Sequence, residues 1–280
     1  MKIIKYLSLI LAVTLMASCE KNVIEFDATT IGEVAEFQLH YIVPVNAVAA
    51  NNITKVEINN QLYANSKAPL NTYNAIPNGS VGKFYTVNPG SVNIKMYQGT
   101  NMDVLVYDQS VTMTAKKQNV FVHDFNLPPV VIDNEFPYIR REVVETDSTT
   151  WVKFYNFLYE TAGVPTTLKL QYQYISHRTG ELVNVGAPVA FGETTGWQQV
   201  LLLKLPTQIV TDGTRRIDYR IKVVDDAGNI TGDLMVRNSS GVMVPYADFW
   251  NGTIGRRVHH IFCGFRAATP VSAVRLFTAL

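Results

Sequence analysis

The stretch Leu168-Lys169-Leu170-Gln171-Tyr172-Gln173-Tyr174 decides the fold class. Apolar and polar residues alternate strictly, which is the period of a pleated strand with one face in a core, and no helical repeat fits it. The turn His177-Arg178-Thr179-Gly180 then leads back. Working outward, Tyr219, Ile221 and Val223 repeat the alternation before Asp225-Asp226-Ala227-Gly228-Asn229, whose Asp and Gly residues supply hairpin-turn chemistry. Upstream, Val92, Ile94 and Met96 share one strand face after the turn Asn88-Pro89-Gly90, followed by Val111, Met113 and the run Val120 to Phe125. Only Leu205 to Thr211 shows a weak helical period. The expected body is all-β.

Pro128-Pro129, Pro137 and the charged run Arg140-Arg141-Glu142 interrupt the alternation between Asn126 and Thr150. Such composition marks a connection. The expectation is one β-sandwich over residues 31–133 and a second over 134–280, each of the immunoglobulin-like kind, since many short strands separated by turns suit sandwiches.

The amino-terminal residues read as a secretory signal: Lys2 and Lys5, an apolar run from Tyr6 to Leu15, then Met16-Ala17-Ser18 before Cys19. That run is too short to cross about 30 Å of hydrocarbon. Removing residues 1–18 leaves 262 of the 280 residues, with 22 basic against 23 acidic side chains. No broad field draws such a chain to nucleic acid or anionic lipid. Met16-Ala17-Ser18-Cys19 resembles the lipobox of bacterial lipoproteins, with Met where the family prefers Leu. The resemblance implies cleavage before Cys19, acylation of that residue, and a tether over residues 19–30. Glu20 does not match the aspartate that retains lipoproteins at the inner membrane, so the outer membrane and the cell surface are expected. With Cys19 lipidated, Cys263 has no partner and no intrachain disulfide framework forms.

Further stretches resemble a family of unknown function among Bacteroides-type cell-surface lipoproteins, built of two related β-sandwich repeats behind a lipobox. In the first half these are Phe84-Tyr85-Thr86-Val87-Asn88-Pro89-Gly90, the strand at Val92, Val111-Thr112-Met113 and Val120-Phe121-Val122. In the second they are Val152-Lys153-Phe154-Tyr155-Asn156-Phe157 and Val258-His259-His260-Ile261-Phe262-Cys263-Gly264-Phe265. Tyr219 to Thr231 resembles the strand-turn-strand of bacterial immunoglobulin-like domains. These resemblances imply fold and location, and fold does not imply function.

Candidate sites follow from residue chemistry. Trp197, beside Gln198-Gln199, and Trp250, beside Asn251-Gly252, could stack on sugar faces if they lie at loop ends, or fill the ends of a core. Asp225, Asp226 and Asn229 carry hard oxygens that suit calcium, although they also suit any tight turn. Asp147-Ser148-Thr149 matches the short O-glycosylation acceptor of Bacteroides-type exported proteins, with Ser148 as the modified residue. His259 and Cys263 fall on one strand face about 13 Å apart, at roughly 3.3 Å per residue, too far to share one ion at about 2.0 to 2.3 Å. The expectation for the His259-His260 pair is one ring inward and one in solvent. Gly79-Ser80-Val81-Gly82-Lys83-Phe84 fails as a phosphate loop, because Pro77 stands where a glycine is required and Phe84 where Ser or Thr is. No nucleophile elbow, zinc-helix or dinucleotide motif is present, and a paired-carboxylate hydrolase is the one enzyme class left open.

The reading is therefore a non-catalytic outer-membrane or cell-surface lipoprotein, without cofactor or nucleic-acid partner, binding a glycan or surface protein through sandwich loops. The alternative is a structural anchor or assembly subunit of a surface complex that pairs through edge strands.

Overall fold

A computed structural model describes residues 33–80, 82–136, 149–202 and 214–279. Val34 onward forms one compact unit. Among the described residues the structure is strand and turn, apart from one 3₁₀ turn at Ala49–Asn51. The all-β expectation holds. Cys19, the tether, Ser148 and the stretch Leu205 to Thr211 lie outside the described residues.

The first half contributes β1 (Ala35–Tyr41), β2 (Lys55–Ile58), β3 (Gln61–Ala64), β4 (Asn74–Ile76), β5 (Tyr85–Val87), β6 (Gly90–Gln98), β7 (Val104–Met113), β8 (Lys117–Val122) and β9 (Val130–Asp133). The second contributes β10 (Thr149–Thr161), β11 (Val164–Pro165), β12 (Lys169–Ile175), β13 (Leu182–Asn184), β14 (Thr194–Leu201), β15 (Thr214–Val224), β16 (Ile230–Asp233), β17 (Met235–Arg237), β18 (Met243–Pro245), β19 (Ala247–Thr253), β20 (Arg257–Phe265) and β21 (Ala273–Thr278). Val130–Asp133 is thus a sheet strand, although Pro128-Pro129 had suggested that the connection begins before it.

The two halves repeat one strand plan. In the first, a sheet ordered β4-β1-β8-β9, with β5 also on β1, faces a sheet ordered β3-β2-β6-β7. In the second, β11-β10-β20-β21, with β14 on β10, faces β13-β12-β15-β16, with β19 on β15. The opening strand of each half pairs in parallel with a late strand, β1 with β8 and β10 with β20. Each sandwich has its own core. Phe37, Leu39, Val56, Ile94 and Val120 belong to the first, and Phe154, Leu170, Tyr172, Ile221 and Phe262 to the second.

A third core lies between the sandwiches. Ile42, Ala75 and Phe121 from the first half pack with Tyr155, Phe157, Ile261, Cys263 and Phe277 from the second. Strands β1, β8, β10 and β20 are consequently buried on both faces, as parallel-paired strands commonly are. Phe121 sits 4.8 Å from Phe157 and 5.1 Å from Tyr155. Thr278 N–H donates to the Gly79 carbonyl at 2.7 Å. A Cβ at Gly79 would come within 2.0 Å of the Phe277 ring, so glycine is required for this approach.

The third core overturns one expectation. His259 and His260 are both fully buried, His260 toward the second sandwich's core and His259 toward the first half. Gln38 and His40 of β1, polar residues alternating with apolar ones, are equally sealed. Gln171 and Gln173 are buried too, with their amides donating to the Gly186 carbonyl (3.1 Å) and the Asn184 side chain (2.7 Å).

Candidate functional site

At one end of the junction a groove of about 460 Å³ opens between Lys116, Lys117, Asn134, Glu135 and Phe136 of the first half and Arg257 and Ala279 of the second. Its walls follow from strand register. β9 ends at Asp133, which delivers Asn134 to Phe136 across the seam, while β10 and β20 run in parallel with Trp151 opposite Arg257. A second, smaller cavity lies within the first sandwich's core and is lined only by apolar side chains such as Phe37 and Val120.

The seam is fixed by donors from the second half onto backbone carbonyls of the first. Trp197 Nε1 donates to the Asn134 carbonyl at 2.6 Å. Lys153 Nζ, from the residue directly opposite Trp197 on β10, donates to the Asp133 carbonyl at 2.7 Å. Burial pushes the Lys153 ammonium down to about 8, against an opposing pull from Glu135 and Asp133. The Phe136 ring meets Trp151 and Trp197 edge to face, each at 5.3 Å, and the Arg257 guanidinium lies over it with Cζ 3.4 Å from the ring centroid.

The charges in the groove are unequal in what they have left to offer. Lys116 Nζ reaches Asp133 (2.5 Å) and Glu135 (3.3 Å), and Lys117 Nζ reaches Glu36 (3.6 Å). Asp133 is held below the usual carboxylate range: burial pushes it upward, and the bonds from Lys116 and Gln118 outweigh that. Arg257 has neither a carboxylate nor a hydrogen-bond acceptor on its guanidinium among the described residues. Partial burial pushes its pKa down.

Behind the groove, buried imidazoles fill the junction. His40 Nε2 bonds Asn119 Oδ1 at 3.1 Å and His259 Nδ1 bonds the Tyr155 hydroxyl at 2.8 Å. On the far face of β20, His260 Nδ1 meets the Tyr172 hydroxyl at 3.2 Å. Desolvation lowers His40 to about 4, His260 to about 3, and His259 well below its usual range. Farther along the junction, His123 Nδ1 meets the Tyr159 hydroxyl at 2.7 Å.

The residues singled out in the sequence fall in separate places. Trp197 is half-buried in β14 behind Phe136, where its ring also meets His259 at 5.0 Å, so it is a seam residue and not a loop tip. Trp250 is 5% exposed in the second sandwich's core, 4.8 Å from His260, and presents no free ring face. Asp225, Asp226 and Asn229 form an exposed turn away from the groove. Asp225 accepts from the Asn229 N–H (2.8 Å) and faces its side-chain amide (3.3 Å), so its oxygens are spent closing the turn. Those bonds hold its carboxyl below the usual range. Asp226 points outward to Lys169 at 3.1 Å. Sequence reasoning missed Phe136, Trp151, Lys153 and Arg257. The unbroken runs at 152–159 and 258–265 carried a usable signal, since strands lacking alternation are the ones covered on both sides.

No protein-family model matches the chain, and no curated protein matches it. Among solved structures, the chain is similar at 8% identity to the Bacillus anthracis TIE protein, with a TM-score of 0.24 over 81% of this chain and 33% of that one. It thus spans about a third of that protein's length. It is also similar at 10% identity to a candidate cell adhesion protein from Bacteroides fragilis NCTC 9343, with a TM-score of 0.20 over 87% of this chain and 97% of that one. Superpositions this loose carry no weight for fold or function.

Proposed function

We propose that the protein is a non-catalytic binding protein, held at the outer membrane through Cys19 and displayed on the cell surface, that takes a glycan in the groove at the sandwich junction. The observation that carries this reading is one groove of ligand size in which Phe136, braced from behind by Trp151 and Trp197, stands among the polar and cationic groups Asn134, Glu135, Lys116 and Arg257. Aromatic faces suit the apolar faces of sugars, and Asn134, Glu135 and Lys116 suit their hydroxyls. The binding surface proposed here is the junction rather than the sandwich loops.

A non-catalytic role is supported by the placement of the groups that could otherwise act. His40, His123, His259 and His260 are sealed inside the protein, and the groove carboxylate Glu135 and its neighbour Asp133 both point at Lys116. The anchor rests on Met16-Ala17-Ser18-Cys19 alone. Among the described residues no helix is long and apolar enough to cross a membrane.

The test is a glycan array probed with the full chain, alongside the Phe136→Ala variant. Binding to one glycan class, weakened at least tenfold by the variant at unchanged melting temperature, is the expected result. An array without signal at millimolar ligand would overturn the reading.

A second reading, an assembly subunit, is favoured by one feature. β7 is ten residues long, pairs on one side with β6, and exposes Val104 and Leu105 with neither proline nor lysine to discourage pairing. Co-purification of a stoichiometric partner that is lost on Leu105→Lys would favour it.

A further inference from the structure

The most informative group in the groove is the cation that no carboxylate neutralises among the described residues. Lys116 is bound by two carboxylates and Lys117 by one, yet the Arg257 guanidinium lies flat on Phe136 with its fork unspent among the described residues. An arginine fixed over an aromatic ring loses little further freedom on binding, and its N–H groups stay directed along the ring plane for an incoming planar anion. A guanidinium partly withdrawn from water and without acceptors among the described residues gains from each bond to such an anion.

We infer that Arg257 is the recognition residue for a carboxylate on the ligand, and that the groove takes an acidic glycan of the uronic-acid type. The inference rests on the glycan-binding reading above and narrows it. The carboxylate binds in the plane of the Arg257 fork, and the sugar ring lies against Phe136, which Trp151 and Trp197 hold in place. About 460 Å³ holds one or two sugar rings, which suits a terminal or internal uronate in a longer chain. An acidic peptide could supply the same anion, but the rigidly held Phe136 ring beside the guanidinium offers the apolar edge that a sugar ring lies against. Glu135 lines the same wall and disfavours a ligand with dense negative charge, so one carboxylate per subsite is what the groove accommodates.

The experiment is calorimetric titration of the full chain with oligogalacturonate, with the methyl-esterified oligomer, which is the same sugar without charge, and with poly-glutamate. Oligogalacturonate binding that falls about ten- to a hundredfold in Arg257→Gln, and recovers only partly in Arg257→Lys, is the expected result. The esterified oligomer should bind weakly and equally to wild type and variant. Equal binding of both oligomers, unaffected by Arg257→Gln, would overturn the role of Arg257 while leaving glycan binding intact. Binding of poly-glutamate alone, or of none of the three, would overturn the glycan assignment as well. Matching melting temperatures for the variants exclude a folding defect.

Discussion

Lowering the pH from 7 to 5 should destabilise this protein by several kcal/mol, and the cause is a set of histidines that can be named. His40, His259 and His260 are fully buried, and their hydrogen-bond partners, Asn119, Tyr155 and Tyr172, are neutral. Folded, His40 titrates at about 4 and His260 at about 3, while in the unfolded chain each returns to its ordinary 6.5. His259 is depressed in the same sense by burial first, then by His40, Lys153 and His260. A depressed folded-state pKa means that the unfolded chain takes up protons first as the pH drops. Stability is therefore complete above about 6.5 and is lost downward through the folded values.

At pH 5, about 1.5 units below the unfolded value, each histidine has withdrawn about 2 kcal/mol, at about 1.36 kcal/mol per unit. His40 and His260 together give about 4 kcal/mol, and His259 adds in the same direction. Typical domain stability is about 5 to 15 kcal/mol, so a loss of this size removes a large share of it, and a domain at the low end of that range reaches its unfolding midpoint near pH 5. Carboxylates such as Asp225 and Asp133, held below their usual range, begin to contribute only at lower pH and leave this window to the imidazoles. Urea unfolding followed by tryptophan fluorescence at pH 7, 6 and 5 measures the slope. His40→Leu should flatten that slope by about one proton's worth. A stability unchanged between pH 7 and 5, or a slope indifferent to His40→Leu, would refute the reasoning.

Two further outcomes follow from the core between the sandwiches. Phe121→Ala empties a site touching both Tyr155 and Phe157 and should cost about 3 to 5 kcal/mol in urea unfolding, far more than Phe249→Ala, whose ring is half-exposed. The Cys263 thiol is fully buried, and that burial pushes it up to about 11, so Ellman's reagent should react with it only after denaturation. Fast reaction of the native protein would show that the junction opens.

Much of the strand content was open to inspection in the chain itself. The alternation of Leu170, Tyr172 and Tyr174, and of Val92, Ile94 and Met96, follows from the two-residue pleat, and each of these side chains lies in its own sandwich's core. The groove could not be read that way. Phe136, Trp151, Trp197 and Arg257 come from a segment after β9 and from three strands, β10, β14 and β20, and nothing in their spacing says that they meet.

Local periodicity specifies which residues of a strand share a face, because that depends on backbone geometry over a few ångströms. It does not specify what covers the face. His40 and His259 have the polarity of solvent-facing positions, yet they are buried because the opposite sandwich lies against them. That covering arises from packing between segments more than a hundred residues apart, such as those of Ile42 and Ile261. The sequence thus determined the strands and the two separate cores. Tertiary packing alone decided the third core, the depressed imidazoles within it and the groove at its end, since only there do side chains from both halves come within reach of one another.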